Sequence, residues 1–310
     1  MKVLFVDDEP RVLEALERMV HELTEGWEVR CAGSGEDALA TLAESRFDVV
    51  VSDMRMPGMD GAALLHEVHV RHPYVARIVL SGQTEEDAAM RSLRVAHRVL
   101  SKPCKANELV GVVEHAHALR ALIGCDVVLA LATGVDCLPS PPASVSELTR
   151  ALDDGAATLD DIGAIVGRDP GMTAKVLQVA NSAFFARGTA VADVHEAVRR
   201  LGIEVLRTIA RDAASDEPMS AYVEERVGRV QCESRAAATR AFAAAPPELR
   251  AEAYTAALLR DVGQLLLDPE EAAVQGVTHA GVGGYILGLW GLPRRIVDAV
   301  AGHLGAGDPS

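Results

Sequence analysis

Asp7, Asp8, Asp53, Ser81 and Lys102 each stand at or just after the end of a short run of valine, leucine and isoleucine. "KVLFV" leads to the first two, "FDVVVS" to Asp53, "ARIVLS" ends on Ser81, and "HRVLS" leads to Lys102. Three carboxylates in one place repel one another unless a cation joins them. A hard divalent ion such as Mg2+ takes oxygen donors, keeps some of its waters and can bind an incoming phosphoryl group. Lys102 adds a point charge for that group and Ser81 a hydroxyl donor. Any one of these acids alone reads as a solvated loop residue, but the five falling together at strand ends leave that reading little room.

The elements that must position them follow from the pattern of apolar runs. With "WEVRCA" (27 to 32) there are five such runs, separated by amphipathic stretches of helical length. That β-α repeat predicts a parallel sheet with helices packed on both faces, joined by right-handed crossovers. Open sheets of this kind bind ligands at the carboxyl ends of their strands, where all five residues lie.

Through "VDDEP" (6 to 10), "SDMRMPGMDG" (52 to 61), "VLSG" (79 to 82) and "LSKP" (100 to 103), in matching order and separation, residues 1 to 122 resemble a response-regulator receiver domain. The resemblance implies a flavodoxin-like, doubly wound five-stranded sheet and a histidine kinase that phosphorylates Asp53. It also implies Mg2+ held by Asp8, Asp53 and the backbone carbonyl of Arg55, with Asp7 acting through a water. Ser81 and Lys102 would contact the phosphoryl oxygens. Lys102-Pro103 would be cis, at the bond type where cis is common enough to expect. One position departs from the family. The switch residue, usually tyrosine or phenylalanine, is His97, whose imidazole can swing toward Ser81 but is polar and titratable.

The 310 residues suffice for two domains, each with its own core. Against 30 basic residues stand 45 acidic ones, a net charge of -15, so the overall field disfavours direct DNA binding and anionic membranes. The five cysteines are widely spaced without a C-x-x-C pair, which suits reduced thiols in a cytoplasmic protein. "MKVLFVDDEP" is no signal peptide and no stretch of 18 apolar residues occurs, so no membrane insertion is expected. His66, His69 and His72 recur at helical spacing with no carboxylate or cysteine converging on them and read as a solvated face. His115 and His117 point to different sides of a helix.

From Lys105 to Gly134 the apolar spacing predicts one long helix, continuing through Ile123, Val127, Val128 and Leu131. Three uses remain open: reach toward the next domain, a self-association seam giving a homodimer, or packing on its own receiver. Gly134 and "LPSPPAS" (138 to 144) end it. The boundaries read as receiver 1 to 122, linker or extended helix 123 to 137, and second domain 138 to 310.

The second domain loses strand alternation and reads as all-α, with "TLDD" (158 to 161) and "RDPG" (168 to 171) as caps and turns. Through "LPSPPAS", "IVGRDPGMTAKVLQVANSAFF" (165 to 185), "VHEAVRRLGIEVLRTI" (194 to 209), "ALLRDVGQLLL" (257 to 267) and "THAGVGGYILGLWGLPRRIVDAVAGHL" (278 to 304) it resembles the HDOD domain. That domain is a helical relative of HD phosphohydrolases found in bacterial signalling proteins. An HD enzyme holds its cations with an upstream histidine, an adjacent His-Asp pair and a downstream acid, often with extra histidines. Here the upstream position falls near Glu233, the pair is Arg260-Asp261, and His279 and His303 lie downstream. Arginine cannot ligate a cation, so a salt bridge to Asp261 and a degenerate, non-catalytic site are expected. Nothing in the sequence brings Glu233, Asp261, His279 and His303 together. "ALLRDVGQLLL" reads as one core helix, Trp290 as packing, and Asn181 as satisfying buried backbone.

The expected function is a two-component response regulator whose HDOD domain binds a signalling partner protein, with no enzyme activity beyond the receiver's phosphoryl chemistry. The alternatives are a divergent HD-type metal phosphohydrolase and a cyclic-dinucleotide sensor.

Overall fold

The computed structural model describes residues 1–82, 91, 93–186, 188–214 and 219–303. It divides into two compact units, Met1–Asp136 with Ser182–Phe184, and the remainder from Cys137.

The first unit is a five-stranded parallel sheet, β1 (Lys2–Val6), β2 (Glu28–Ala32), β3 (Val49–Asp53), β4 (Ala76–Gly82) and β5 (Arg98–Lys102), in the order β2-β1-β3-β4-β5. Helices α1 (Pro10–Leu23), α2 (Gly35–Glu44), α3 (Gly61–Arg71) and α4 (Ala106–Ala118) accompany it. β3 is buried along its whole length and β1 and β4 nearly so, as continuous valine and isoleucine runs require. β2, at the edge, shows more of its residues to solvent. The register pairs Val6 with Ser52, Asp53 with Leu80, and Gly82 with Lys102, so the strand ends carrying the acids and the lysine line up along one edge. Ser34 and Asp60 cap α2 and α3 by accepting from the Asp37 and Ala63 amides.

The single long helix expected over 105 to 134 is not formed. α4 stops at Ala118, a 3-10 turn covers Leu119–Leu122, Ile123 and Cys125 are extended, and α5 (Asp126–Thr133) starts afresh. The apolar spacing is the same on both sides of the break, so periodicity could not reveal it. What the break achieves is packing on the receiver itself. Ile123 and Val128 are both buried, and Arg46 grips the Asp126 carboxylate with two bonds of 2.7 and 2.9 Å in the first turn of α5.

At the other end of α5, Arg77 is wholly buried in β4. It donates from Nε to the Val95 carbonyl (2.6 Å), from Nη1 to that of Thr133 (3.2 Å) and from Nη2 to Asp136 Oδ1 (2.8 Å). A buried guanidinium is tolerable because it is paired and hydrogen-bonded in this way.

The described part of the second unit is helical throughout. It comprises α6 (Pro142–Asp153), α7 (Leu159–Val166), α8 (Pro170–Ala180), α9 (Val194–Ala213), α10 (Ala221–Ala244), α11 (Arg250–Leu258), α12 (Pro269–Val274), α13 (His279–Leu289) and α14 (Arg294–Ala301). α8 and α13 are buried on every side and form its centre. Thr158 and Asp161 make a reciprocal capping box, and Asp169 caps α8 while accepting from the Ser140 hydroxyl. Asn181 satisfies backbone as expected: its amide donates to the Leu177 and Val191 carbonyls and its oxygen accepts from the Val191 amide. Trp290 is buried.

"ALLRDVGQLLL" is not one helix. α11 ends at Leu258, the chain turns through Arg260 and Asp261, and a 3-10 turn spans Val262–Leu265. The change of pitch buries Leu267 and leaves Leu266 half-exposed. Gly263 explains the local geometry: a β-carbon there would lie 1.9 Å from the His279 carbonyl oxygen, so the two backbones are in direct contact. Gly263→Ala should therefore cost about 2–3 kcal/mol in urea unfolding. Gly228→Ala, on α10 with nothing within 4 Å, should be neutral or stabilise by up to about 1 kcal/mol.

Candidate functional site

At the carboxyl edge of the sheet, Asp7 and Asp53 are buried carboxylates that share one cation. Lys102 Nζ lies 2.8 Å from Asp7 Oδ2 and 2.5 Å from Asp53 Oδ1. The remaining oxygens accept from backbone, Asp7 Oδ1 from the Glu9 amide and Asp53 Oδ2 from the Arg55 amide, each at 3.0 Å. Burial works against the Lys102 charge, but its bonds to Asp53 and Asp7 outweigh it and hold the ammonium above its ordinary range. Asp8 stands at the exposed rim beside Asp7. Ser81 is buried at the end of β4, its hydroxyl 3.4 Å from the Gly82 carbonyl oxygen. The Lys102-Pro103 bond is cis. This is a hard-oxygen donor set already gathered around positive charge, which suits Mg2+.

The loop after β3 leaves no room. Gly61 donates to the Met54 carbonyl (3.0 Å), and a β-carbon on it would sit 2.1 Å from the Asp53 carbonyl oxygen. Gly61→Ala should displace Asp53 and slow phosphoryl uptake by about 100-fold, read from initial rates with a small-molecule phosphodonor.

His97 is anchored through both of its ring nitrogens. It is buried, its Nδ1 accepts from the Arg77 amide (2.9 Å), and Nε2 faces the Thr133 carbonyl oxygen at 2.8 Å. A carbonyl accepts only from a nitrogen that bears a proton, so the ring is the Nε2–H tautomer with both nitrogens engaged. Thr133 O therefore receives both His97 and Arg77, and the end of α5 is tied to β4 and to the residue before β5. Sequence reasoning missed Arg77, although a lone arginine inside an apolar central strand was the available signal.

In the second unit the structure brings together three of the four residues considered for a metal. Asp261 Oδ1 lies 3.4 Å from His279 Nε2 and 3.5 Å from His303 Nε2, and the two nitrogens are 3.2 Å apart. Glu233 is not among them. It is exposed on α10, with Arg229 at 4.0 Å. Arg260 does bridge to Asp261, through Nε at 3.0 Å and Nη2 at 2.8 Å, but both bonds go to Oδ2, and Oδ1 faces the histidines. Burial works against the Asp261 charge, and His279, His303 and Arg260 outweigh it, so the carboxyl stays well below the usual carboxylate range. Among the described residues this is the single group of three or more histidine, cysteine, aspartate or glutamate side chains whose ligand atoms all lie within 4.8 Å of one another. The His66 and His69 rings stack with centroids 6.5 Å apart, and His69 Nδ1 lies 3.5 Å from Asp136 Oδ2.

A doubly wound sheet with paired aspartates and a lysine at its carboxyl edge defines a receiver domain. The comparison with protein families agrees: residues 3–114 match the response regulator receiver domain and residues 138–269 the HDOD domain, so the chain joins these two modules. Among curated proteins it is 38% identical over 117 residues to the DNA-binding transcriptional regulator NtrC of Salmonella typhimurium, covering 37% of this chain and 24% of that one. It is 37% identical over 115 residues to the transcriptional regulatory protein AruR of Pseudomonas aeruginosa, covering 35% and 46%. The chain thus spans about a quarter of NtrC and less than half of AruR. A solved structure, the signal receiver domain of an HD domain-containing protein from Pseudomonas fluorescens Pf-5, is 28% identical with a TM-score of 0.35, covering 38% of this chain and 97% of that one. Among the described residues no helix is long and apolar enough to cross a membrane.

Proposed function

We propose that the chain is a phosphorylation-gated response regulator of the cytoplasm. A histidine kinase donates to Asp53, and the HDOD domain binds a signalling partner protein with an affinity set by that phosphorylation and without chemistry of its own. The observation that carries this reading is the Asp7–Lys102–Asp53 cluster. Mg2+ would be held by Asp8, Asp53 and the Arg55 carbonyl, with Asp7 acting through a water, and when bound it offsets charge on the incoming phosphoryl oxygens. The chain's own residues supply the rest. The Arg55 amide fixes Asp53 Oδ2, which aims Oδ1 at Lys102. The ammonium is then in place for phosphoryl oxygens, and the Ser81 hydroxyl lies at the end of the neighbouring strand.

The test is metal dependence. With a small-molecule phosphodonor and Mg2+, intact-mass spectrometry should show one phosphoryl group per chain, on Asp53, and chelation of the Mg2+ should remove the uptake. Uptake that is metal-independent, or that maps elsewhere, would count against the reading.

A further inference from the structure

Asp261, His279 and His303 come from three separate stretches: the turn after α11, the first residue of α13 and the segment after α14. His303 Nδ1 lies 2.7 Å from the Val300 carbonyl oxygen, an arrangement that requires the proton on Nδ1. A neutral His303 thus has its lone pair on Nε2, aimed at Asp261 Oδ1 and His279 Nε2. Three potential ligand atoms meet at one point, where either a proton on His279 Nε2 or a cation can join them. Arg260 does not supply the cation, because both of its bonds go to the far oxygen of Asp261. Gln264 Nε2 reaches Oδ1 only at 3.4 Å, the long limit of a hydrogen bond.

We propose that Asp261 Oδ1, His279 Nε2 and His303 Nε2 bind one divalent transition ion of the zinc and cobalt class. The spacing sets the size of the ion. In a tetrahedral centre with metal–nitrogen and metal–oxygen bonds of about 2.0–2.2 Å, neighbouring donors stand about 3.3–3.5 Å apart. The three observed separations are 3.2, 3.4 and 3.5 Å. Octahedral Mg2+ would draw neighbouring donors to about 3.0 Å, and it favours oxygen. Two imidazoles with one carboxylate select a transition ion. The supporting contacts are those a metal centre uses. The Val300 carbonyl sets the His303 tautomer, and Arg260, by holding Oδ2, leaves Asp261 a single oxygen to give. Arg260 therefore acts as a positioning residue for Asp261 instead of occupying the ion's place. Three protein donors leave a fourth position for water or an anionic ligand atom. The inference stands independently of Asp53 and its phosphorylation.

The experiment uses the full chain, stripped with a chelator and titrated with Co2+. One equivalent should produce the intense visible bands of four-coordinate cobalt, and one equivalent of Zn2+ should displace it. His279→Gln and His303→Gln, each checked for native circular dichroism, should weaken Co2+ binding about 100-fold or more. The double variant His66→Ala/His69→Ala, in the other unit, should bind as wild type does. A wild-type chain that takes up no Co2+, or binding that survives both His279→Gln and His303→Gln, overturns the proposal and leaves the three groups sharing a proton only.

Discussion

Asp53→Ala is expected to take up no measurable phosphoryl group, a fall of about 10³-fold or more, while keeping the stability of the wild-type chain to within about 1 kcal/mol. The two halves of this result have separate causes. Chemistry is lost because Asp53 is the carboxylate that Lys102 and the Arg55 amide orient. Stability is kept because Lys102 retains Asp7 at 2.8 Å, and removing Asp53 also removes a like charge from beside Asp7. Intact-mass spectrometry after incubation with phosphodonor and Mg2+, together with a urea titration, reads both. A strongly destabilised Asp53→Ala would mean that the cluster holds the fold together more than it serves phosphoryl transfer.

Arg77→Ala should have the largest effect on stability, about 3–5 kcal/mol in urea unfolding. The substitution takes the guanidinium away from three buried or half-buried acceptors, the Val95 and Thr133 carbonyls and the Asp136 carboxylate, although Thr133 O still has His97 and Asp136 still has His69 at 3.5 Å. Arg77→Lys should recover only part of the loss, because one ammonium cannot reach acceptors arranged around Nε, Nη1 and Nη2. Hydrogen exchange should localise the damage to α5, whose final carbonyl, that of Thr133, would keep only His97 of these two donors. Unchanged exchange across Asp126–Thr133 would show that Arg46–Asp126 and His97 hold α5 without Arg77.

The receiver sheet and its acids were legible because each acid follows directly on an apolar run, so the strand pattern and the site are the same signal. The joint was not. Apolar residues keep a helical spacing straight through Ile123 to Cys125, and the break depends on Arg46 and Arg77, which reach α5 and the residues after it from distant parts of the chain. His97 could be recognised as an unusual residue at a switch position, but its partner Thr133 is set by that same packing. In the second unit the periodicity identified helices well and misjudged "ALLRDVGQLLL", because a 3-10 turn buries nearly the same leucines as an α-helix would. The pairing of Arg260 with Asp261 could be anticipated from adjacency. Which carboxylate oxygen it takes could not, and that choice leaves the other oxygen facing His279 and His303.

The central claim is that phosphorylation at Asp53 changes what the HDOD domain binds. Its most direct test is a set of pulldowns with the full chain, with and without beryllofluoride and Mg2+ as a phosphoryl mimic, followed by titration of the captured protein against purified chain. The account predicts that the mimic shifts the affinity by about 5–150-fold, the usual range of coupling between sites, and that Asp53→Ala shows no shift. Equal affinity with and without the mimic, or the same shift in Asp53→Ala, would contradict it.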